Sequence, residues 1–239
     1  MSVAANSEAR LAATVVVLRE HAGAPEILMV RRARAASFMA GAFVFPGGRV
    51  DPTDAGDDVL ARARVGAARE LVEEAAVEVA PSALLPFARW VTPASEPKRF
   101  DTYFFIATVP IGTQAKVDEA EVVELVWDTA AGILARHEAS EMKLPPPTLS
   151  TVSTLARLGD MDAIVKWARD RPLDPIQPKL IEESPGQADG LTIVLPWDAR
   201  YVEELGDGEP ISSGHRLAEG PSRYTLRGGR FWAQDGRPR

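Results

Sequence analysis

The stretch FVFPGGRVDPTDAGDDVLARARVGAARELVEEAAVEV, Phe43 to Val79, joins a glycine turn to three glutamates, Glu70, Glu73 and Glu74, set within five residues. Asp57 or Asp58 offers an N-cap, and Val65, Ala68, Leu71, Val72 and Ala75 recur at helical spacing, so an amphipathic helix is expected after the turn. On that helix the glutamates stand at i, i+3 and i+4 and project along one face, where like charges repel. A solvated acidic face is the commonest reading of such a cluster, but a divalent cation is the reading that removes the repulsion. Mg²⁺ or Mn²⁺ takes hard oxygen ligands and bridges protein carboxylates to substrate phosphates. Gly47 and Gly48 have no Cβ, so a backbone carbonyl of the turn can approach the same ion.

Working outward, LAATVVVLRE and EILMVRR are β-rich runs separated by HAGAP and read as a hairpin or as adjacent strands. Further strands are expected in FARWVTP, FDTYFFIATVP and VVELVWD, with a short helix near Ala130. The three prolines of KLPPPTLSTV break the chain, and an extension is expected from there. It contains helices over Leu149 to Leu158 and Asp162 to Arg169, strands in KLIEE and LTIVLP, and a hairpin around YTLRGGRFWA. Apolar residues throughout it favour folding back onto the first part.

Composition bounds the function. The 239 residues are 46% hydrophobic, enough for a substantial core, and no apolar run approaches the length of a membrane helix. The N-terminal stretch lacks the basic start of a signal peptide, so the cytoplasm is the expected compartment. With no cysteine, thiolate metal sites and cysteine nucleophiles are excluded, and any metal is held by oxygen or histidine. A formal net charge of −7 disfavours sequence-independent binding to nucleic acid. His21, His137 and His215 are isolated and read as structural or exposed, and no serine lies in a G-x-S-x-G context.

The glycine turn, the RELVEE helix and Val77 resemble the Nudix box, whose pattern is G-x5-E-x7-R-E-U-x-E-E-x-G-U with U a bulky aliphatic. Gly48 matches the first glycine, Arg69-Glu70-Leu71 the R-E-U, Glu73-Glu74 the paired acids and Val77 the last aliphatic, while Ala76 replaces the late glycine. Gly48 and Arg69 are 21 positions apart where the pattern has 14, so the box carries a seven-residue insertion. Counting forward from Gly48 puts the pattern's first Glu at Asp54, and counting back from Arg69 puts it at Ala61. In the family that Glu orients the box arginine, and Asp51, Asp54, Asp57 and Asp58 are the candidates to replace it. DPTDAGD, 51–57, could equally be a spacer.

An interrupted box preceded by VFPGG and followed by WVTP and RFDTYFF resembles the branch related to peroxisomal coenzyme A diphosphatases, from Leu11 to Trp127 and more faintly through PPPT. Arg32, Gly41 and Phe45 to Gly48 fall at the spacing of that branch's signature, whereas Ala36 and Met39 stand where a leucine and a histidine are expected.

The resemblance implies an α/β fold, the Nudix α/β/α sandwich with a mixed β-sheet. Its core is expected over residues 8–144 with the box at 48–77, and a C-terminal α+β extension, 145–239, packs on it. It implies a Mg²⁺ (or Mn²⁺) dependent hydrolase that splits the diphosphate of a nucleoside diphosphate joined to another group, coenzyme A or acyl-coenzyme A in this branch. ADP-ribose, another nucleotide sugar or a dinucleotide is the alternative substrate. The alternative class is a non-catalytic Nudix-fold binding domain, which typically loses box glutamates that this chain keeps. The implied metal ligands are the Gly48 carbonyl, Glu70, Glu73 and Glu74, with Glu73, Glu74 and Arg69 acting in catalysis. A further glutamate acts from the region before Trp127, where Glu121 is preferred over Glu119 and Glu124. Arg32 and Arg99, with Arg31 a similar case, could meet the diphosphate through a guanidinium fork. The C-terminal helices could cover a pantetheine or acyl arm, and the resemblance admits a homodimer.

Overall fold

The computed structural model describes residues 8–33, 41–116, 122–182, 189–204 and 206–236. β1 (Arg10–His21) and β2 (Ala24–Arg32) form an antiparallel hairpin, paired from Leu18↔Ile27 to His21↔Ala24. Beyond those rungs the two strands part, and the FVFPGGR segment fills the fork: β3 (Phe43–Val44) pairs with β2 and β4 (Gly47–Arg49) with β1. The glycine turn expected from the sequence is therefore partly strand. Pro46 O accepts from Val15 N at 2.8 Å and from the Thr14 hydroxyl at 2.7 Å, which ties the segment to the sheet centre.

β5 (Leu85–Val91) and β6 (Phe100–Thr108) continue the sheet beyond β1, and β7 (Val122–Thr129) lies on the other side of β2. β6 runs parallel to β1 from Arg10↔Phe100 to Leu18↔Thr108, while β5 is antiparallel to β6 and β7 to β2, so the sheet is mixed. Alternate residues of β1 enter two different cores: Val15 and Val17 lie in one hydrophobic cluster, Val16 and Leu18 in the other. The first is closed by α1 (Val59–Ala75), the second by α2 (Ala130–Glu138), α3 (Pro146–Leu158) and α4 (Met161–Asp170). This is the expected α/β/α sandwich.

Local chemistry sets the helix ends. Asp58 caps α1, its side chain accepting from Ala61 N, and Asp160 caps α4 through Ala163 N. The proline run opens α3 instead of breaking the chain before it, because a proline in the first helical turn sacrifices no intrahelical bond. The buried face of α1 is Ala63, Gly66, Ala67, Ala68, Leu71 and Ala75. Val72, expected on that face, is 44% exposed, since small residues turn the helix to lie close against the sheet.

The remaining strands are β8 (Pro175–Ile176), which adds parallel to β5 at the end of the sheet, and an antiparallel sheet of β9 (Lys179–Glu182), β10 (Leu191–Val194), β11 (Arg223–Arg227) and β12 (Arg230–Gln234). Ile193, Leu195, Trp197, Tyr224 and Phe231 join the same cluster as Ile133, Leu149 and Val152, so side chains on both sides of residue 145 share one core. Buried His137 bridges the two, its ring nitrogens facing Met142 O at 3.0 Å and Phe231 O at 2.9 Å. The apolar faces of α3 and α4 are thus spent on the sheet face opposite α1. No helix among the described residues is long and apolar enough to cross a membrane.

Two substitutions test this framework. Gly47 has φ 151°, and a Cβ there would press on the β1 backbone at Ala13 and Thr14, so Gly47→Ala is expected to cost about 3 kcal/mol in urea unfolding. Ala76, the C-cap of α1, has φ 53° and ψ 33°, a left-handed conformation unfavourable for alanine. Ala76→Gly should therefore stabilise by roughly 0.5–1 kcal/mol, read as a rise in Tm.

Candidate functional site

The site is organised by one ion pair. Arg69 donates through Nε to Asp54 Oδ1 and through Nη2 to Asp54 Oδ2, both at 3.1 Å. Asp54 is 5% exposed, and its Oδ2 also accepts from Asp51 N at 2.7 Å. Burial alone would push the Asp54 carboxyl up, but the bonds from Arg69 and Asp51 together with the positive charges of Arg69 and Arg62 hold it below its ordinary value of 3.8. The same pairing, Asp54 first and Glu70 next, raises the Arg69 guanidinium further above its usual range against burial.

Of the four aspartates that could replace the displaced box glutamate, the structure brings Asp54 to the arginine. Asp51 Oδ2 stands at 3.7 Å from Arg69 Nη2 and plays a minor part, and Asp58 is the helix cap. Counted from Gly48, the seven extra residues therefore lie between Asp54 and Arg69, the interval in which α1 begins at Val59. The 51–57 segment is more than a spacer. Arg62, two turns before Arg69, braces it with bonds to Asp54 O at 3.3 Å and Asp51 O at 3.4 Å. Gly66 leaves room for the Asp54 carboxylate, which a Cβ would meet at 2.9 Å. A glycine one turn before Arg69, on the same face, was the signal in the sequence that could have selected Asp54.

With α1 fixed, its glutamates meet the turn. Glu74 Oε2 accepts from Gly47 N at 2.8 Å. The Glu70 carboxylate fills the space a Cβ on Gly48 would need, so glycine there is required by close approach. Arg69 Nη1 donates to Glu70 Oε1 at 2.9 Å and to Glu73 Oε2 at 2.8 Å, and so offsets the repulsion along the face. Among the described residues no three acidic or histidine side chains converge as a closed metal cage, because Arg69 and Gly47 engage the carboxylates.

The other candidates separate. Glu124 lies opposite Arg31 across β2 and β7 and pairs with its Nη1 at 2.9 Å, so each is the other's partner. Glu119 and Glu121 fall outside the described residues, as do Ala36 and Met39. Arg32 donates its backbone N–H to Ala42 O at 3.0 Å, and its buried Nε has no hydrogen-bond partner among the described residues. Arg99 is 9% exposed and donates from Nε to Thr92 O at 3.3 Å, an anchor for the β5–β6 connection. The rungs Arg10↔Phe100 and Ala12↔Arg49 put it at the same end of the sheet as Gly48. His21 is exposed beside Glu26, and His215 accepts from Leu217 N, so neither belongs to the site.

Residues 8–145 match the family profile of the NUDIX domain. A Caenorhabditis elegans protein named "Putative nudix hydrolase 7" is 27% identical over 84% of this chain and 79% of its own length. Human acyl-coenzyme A diphosphatase NUDT19 is 28% identical over 57% of this chain, but that match spans only 37% of the human protein. Among solved structures, a NUDIX hydrolase from Alicyclobacillus acidocaldarius superposes with a TM-score of 0.61 at 26% identity, covering 68% of this chain and 97% of that one.

The buried pair generates a stability prediction. Asp54→Asn should cost roughly 2–3 kcal/mol, below the usual range for breaking a buried pair because Arg69 keeps some exposure. The Asp54 carboxyl is lower in the folded chain than in the unfolded one, so its contribution is present above about pH 4 and is lost as pH falls through the folded value. Unfolding at pH 7 and in acid should show the gap between wild type and Asp54→Asn narrowing as pH falls.

Proposed function

The chain belongs to the Nudix family of diphosphate-bond hydrolases, and on that premise we propose a divalent-metal-dependent enzyme that cleaves a nucleoside diphosphate joined to a further group, with coenzyme A or an acyl-coenzyme A as its substrate class. The observation that carries the reading is the seating of α1 on the Gly47–Arg49 strand, with Glu70 against Gly48 and Glu74 bonded to Gly47. The donors near the turn are all hard oxygens, and the missing Cβ at Gly48 lets the Glu70 carboxylate close on the turn, a donor chemistry that suits Mg²⁺ or Mn²⁺. Glu70, Glu73, Glu74 and the Gly48 carbonyl would hold the cation. When bound it supplies charge neutralisation at the diphosphate and a more acidic water.

The protein's own groups supply the rest. Arg69 keeps Glu70 and Glu73 together on one face, while its bond to Asp54 anchors the guanidinium whichever partner those glutamates take. The Glu74 bond to Gly47 fixes the distance between helix and turn. Arg32, whose Nε has no hydrogen-bond partner among the described residues, and Arg99, at the box end of the sheet, are the cations proposed for the diphosphate oxygens. Glu121 is proposed as a further carboxylate in catalysis. The coenzyme A assignment is supported by the retained Arg32, Gly41 and Phe45 to Gly48, and by the likeness to an acyl-coenzyme A diphosphatase.

Purified protein with Mg²⁺ or Mn²⁺ should turn over coenzyme A or an acyl derivative with kcat/KM of at least ~10⁴ M⁻¹s⁻¹ and release adenosine 3',5'-bisphosphate. ADP-ribose or a dinucleotide processed tenfold better would overturn the substrate class and leave the hydrolase. Glu73→Gln and Glu74→Gln should each lower kcat by at least ~100-fold. Both should keep the fold: Glu73 is half-exposed, and Gln at 74 can still accept from Gly47 N. Near-normal turnover in both variants would remove these carboxylates from catalysis.

A further inference from the structure

A cleft of about 320 Å³ opens between α4 and segment 211–220. Its wall is Trp167, which packs on Phe87 of β5 with ring centroids 5.3 Å apart. Phe87 belongs to the cluster on the sheet face opposite α1, so the cleft is separate from the glutamate site. Lys166, Asp170, Arg171, Arg216 and Glu219 also line it.

Charge in this cleft is poorly matched. The Arg171 side chain is 9% exposed, yet its Nε has no hydrogen-bond partner among the described residues. Its guanidinium lies over the Trp167 ring at 4.9 Å, and among the described residues the hydrogen bonds of its terminal nitrogens go to Arg216 O at 3.4 Å and Leu217 O at 3.5 Å, both long for a guanidinium. Glu219, the nearest carboxylate, is shared: it accepts from Trp167 Nε1 at 2.9 Å and stands 3.5 Å from Arg157 and 3.6 Å from Arg171. Burial accordingly pushes Arg171 down to about 10, with Glu219 restoring only part. Asp170 faces Arg216 at 3.9 Å, both exposed. Four cations, Arg157, Lys166, Arg171 and Arg216, therefore surround two carboxylates. A single-charged carboxylate is already present and leaves Arg171 under-bonded, whereas a phosphate dianion brings a second charge and more acceptor oxygens.

We propose that this cleft is a phosphate-binding site, taking inorganic phosphate or the phosphate of a small phosphomonoester, with Arg171 at its base and Lys166 and Arg216 at its rim. Glu219 is the resident anion, and the ligand displaces it from Arg171 and from the Trp167 indole.

The test uses the full chain in EDTA, so that no metal-dependent binding at α1 contributes. The Trp167 indole N–H signal, assigned as the one missing from Trp167→Phe, is followed during titration with sodium phosphate and, separately, glycerol 3-phosphate, each against sodium chloride at equal ionic strength. A saturable shift is expected, and the tighter of the two arms identifies the source as free or esterified phosphate. Arg171→Gln should weaken binding about tenfold, and Lys166→Gln with Arg216→Gln about fivefold. Glu219→Gln should tighten it at least about threefold, the opposite sign from a damaged fold. Lys166 and Arg216 are exposed, so the rim variant carries the test if Arg171→Gln does not fold. No saturable shift beyond the chloride control, or no tightening in Glu219→Gln, would overturn the proposal.

Discussion

The bidentate pair between Arg69 and Asp54 sets where α1 lies, and the rest of the site follows from that placement. Asp54 belongs to the segment leaving β4, and Arg69 sits on the helix one residue before the first of the three glutamates. Joining them fixes the helix in rotation and along its axis relative to the Gly47–Gly48 strand. Glu70 then closes on Gly48 and Glu74 on Gly47, contacts that a shift of one residue along the helix would destroy. Because the pair is largely buried, its strength comes from full hydrogen bonding as much as from charge.

The strand that receives these glutamates depends on the fork between β1 and β2. Had the hairpin stayed paired along its length, β1 would have no free edge for Gly47–Arg49. The parting of the strands therefore makes the sheet centre available to the box. The opposite face is filled by α2, α3, α4 and the second sheet, which share a core with β1, β5 and β6. That arrangement explains why the C-terminal half is apolar without being a cover for the box helix, and why the basic cleft beside Trp167 lies away from it.

The features legible in the sequence were those set by contacts within a few residues. Apolar β-rich runs marked β1 and β6, Asp58 was one of two candidates for the cap it forms, and the spacing of Glu70, Glu73 and Glu74 places them on one helix face whatever surrounds it. Counting positions from Gly48 also reached Asp54, but counting from Arg69 reached Ala61, and the seven-residue insertion made both counts admissible. Val72 misled because periodicity identifies an apolar stripe without saying how close the helix approaches, and close approach selected the Ala and Gly stripe instead. The proline run was read as a break, although proline suits a first helical turn as well as it suits a loop.

The sequence by itself determined the longer strands, the acidic helix face and the Nudix pattern, since a helical turn or a β-rich run is set by neighbours three or four residues apart at most. Only the tertiary structure decided that Asp54 is the partner of Arg69, that Glu124 is taken by Arg31, and that Arg171 is buried beside one shared carboxylate. Each of those pairings joins residues separated by 15 to 93 positions. Composition offers several equivalent charges for each, and only the packing of the sheet and its helices brings one of them within reach.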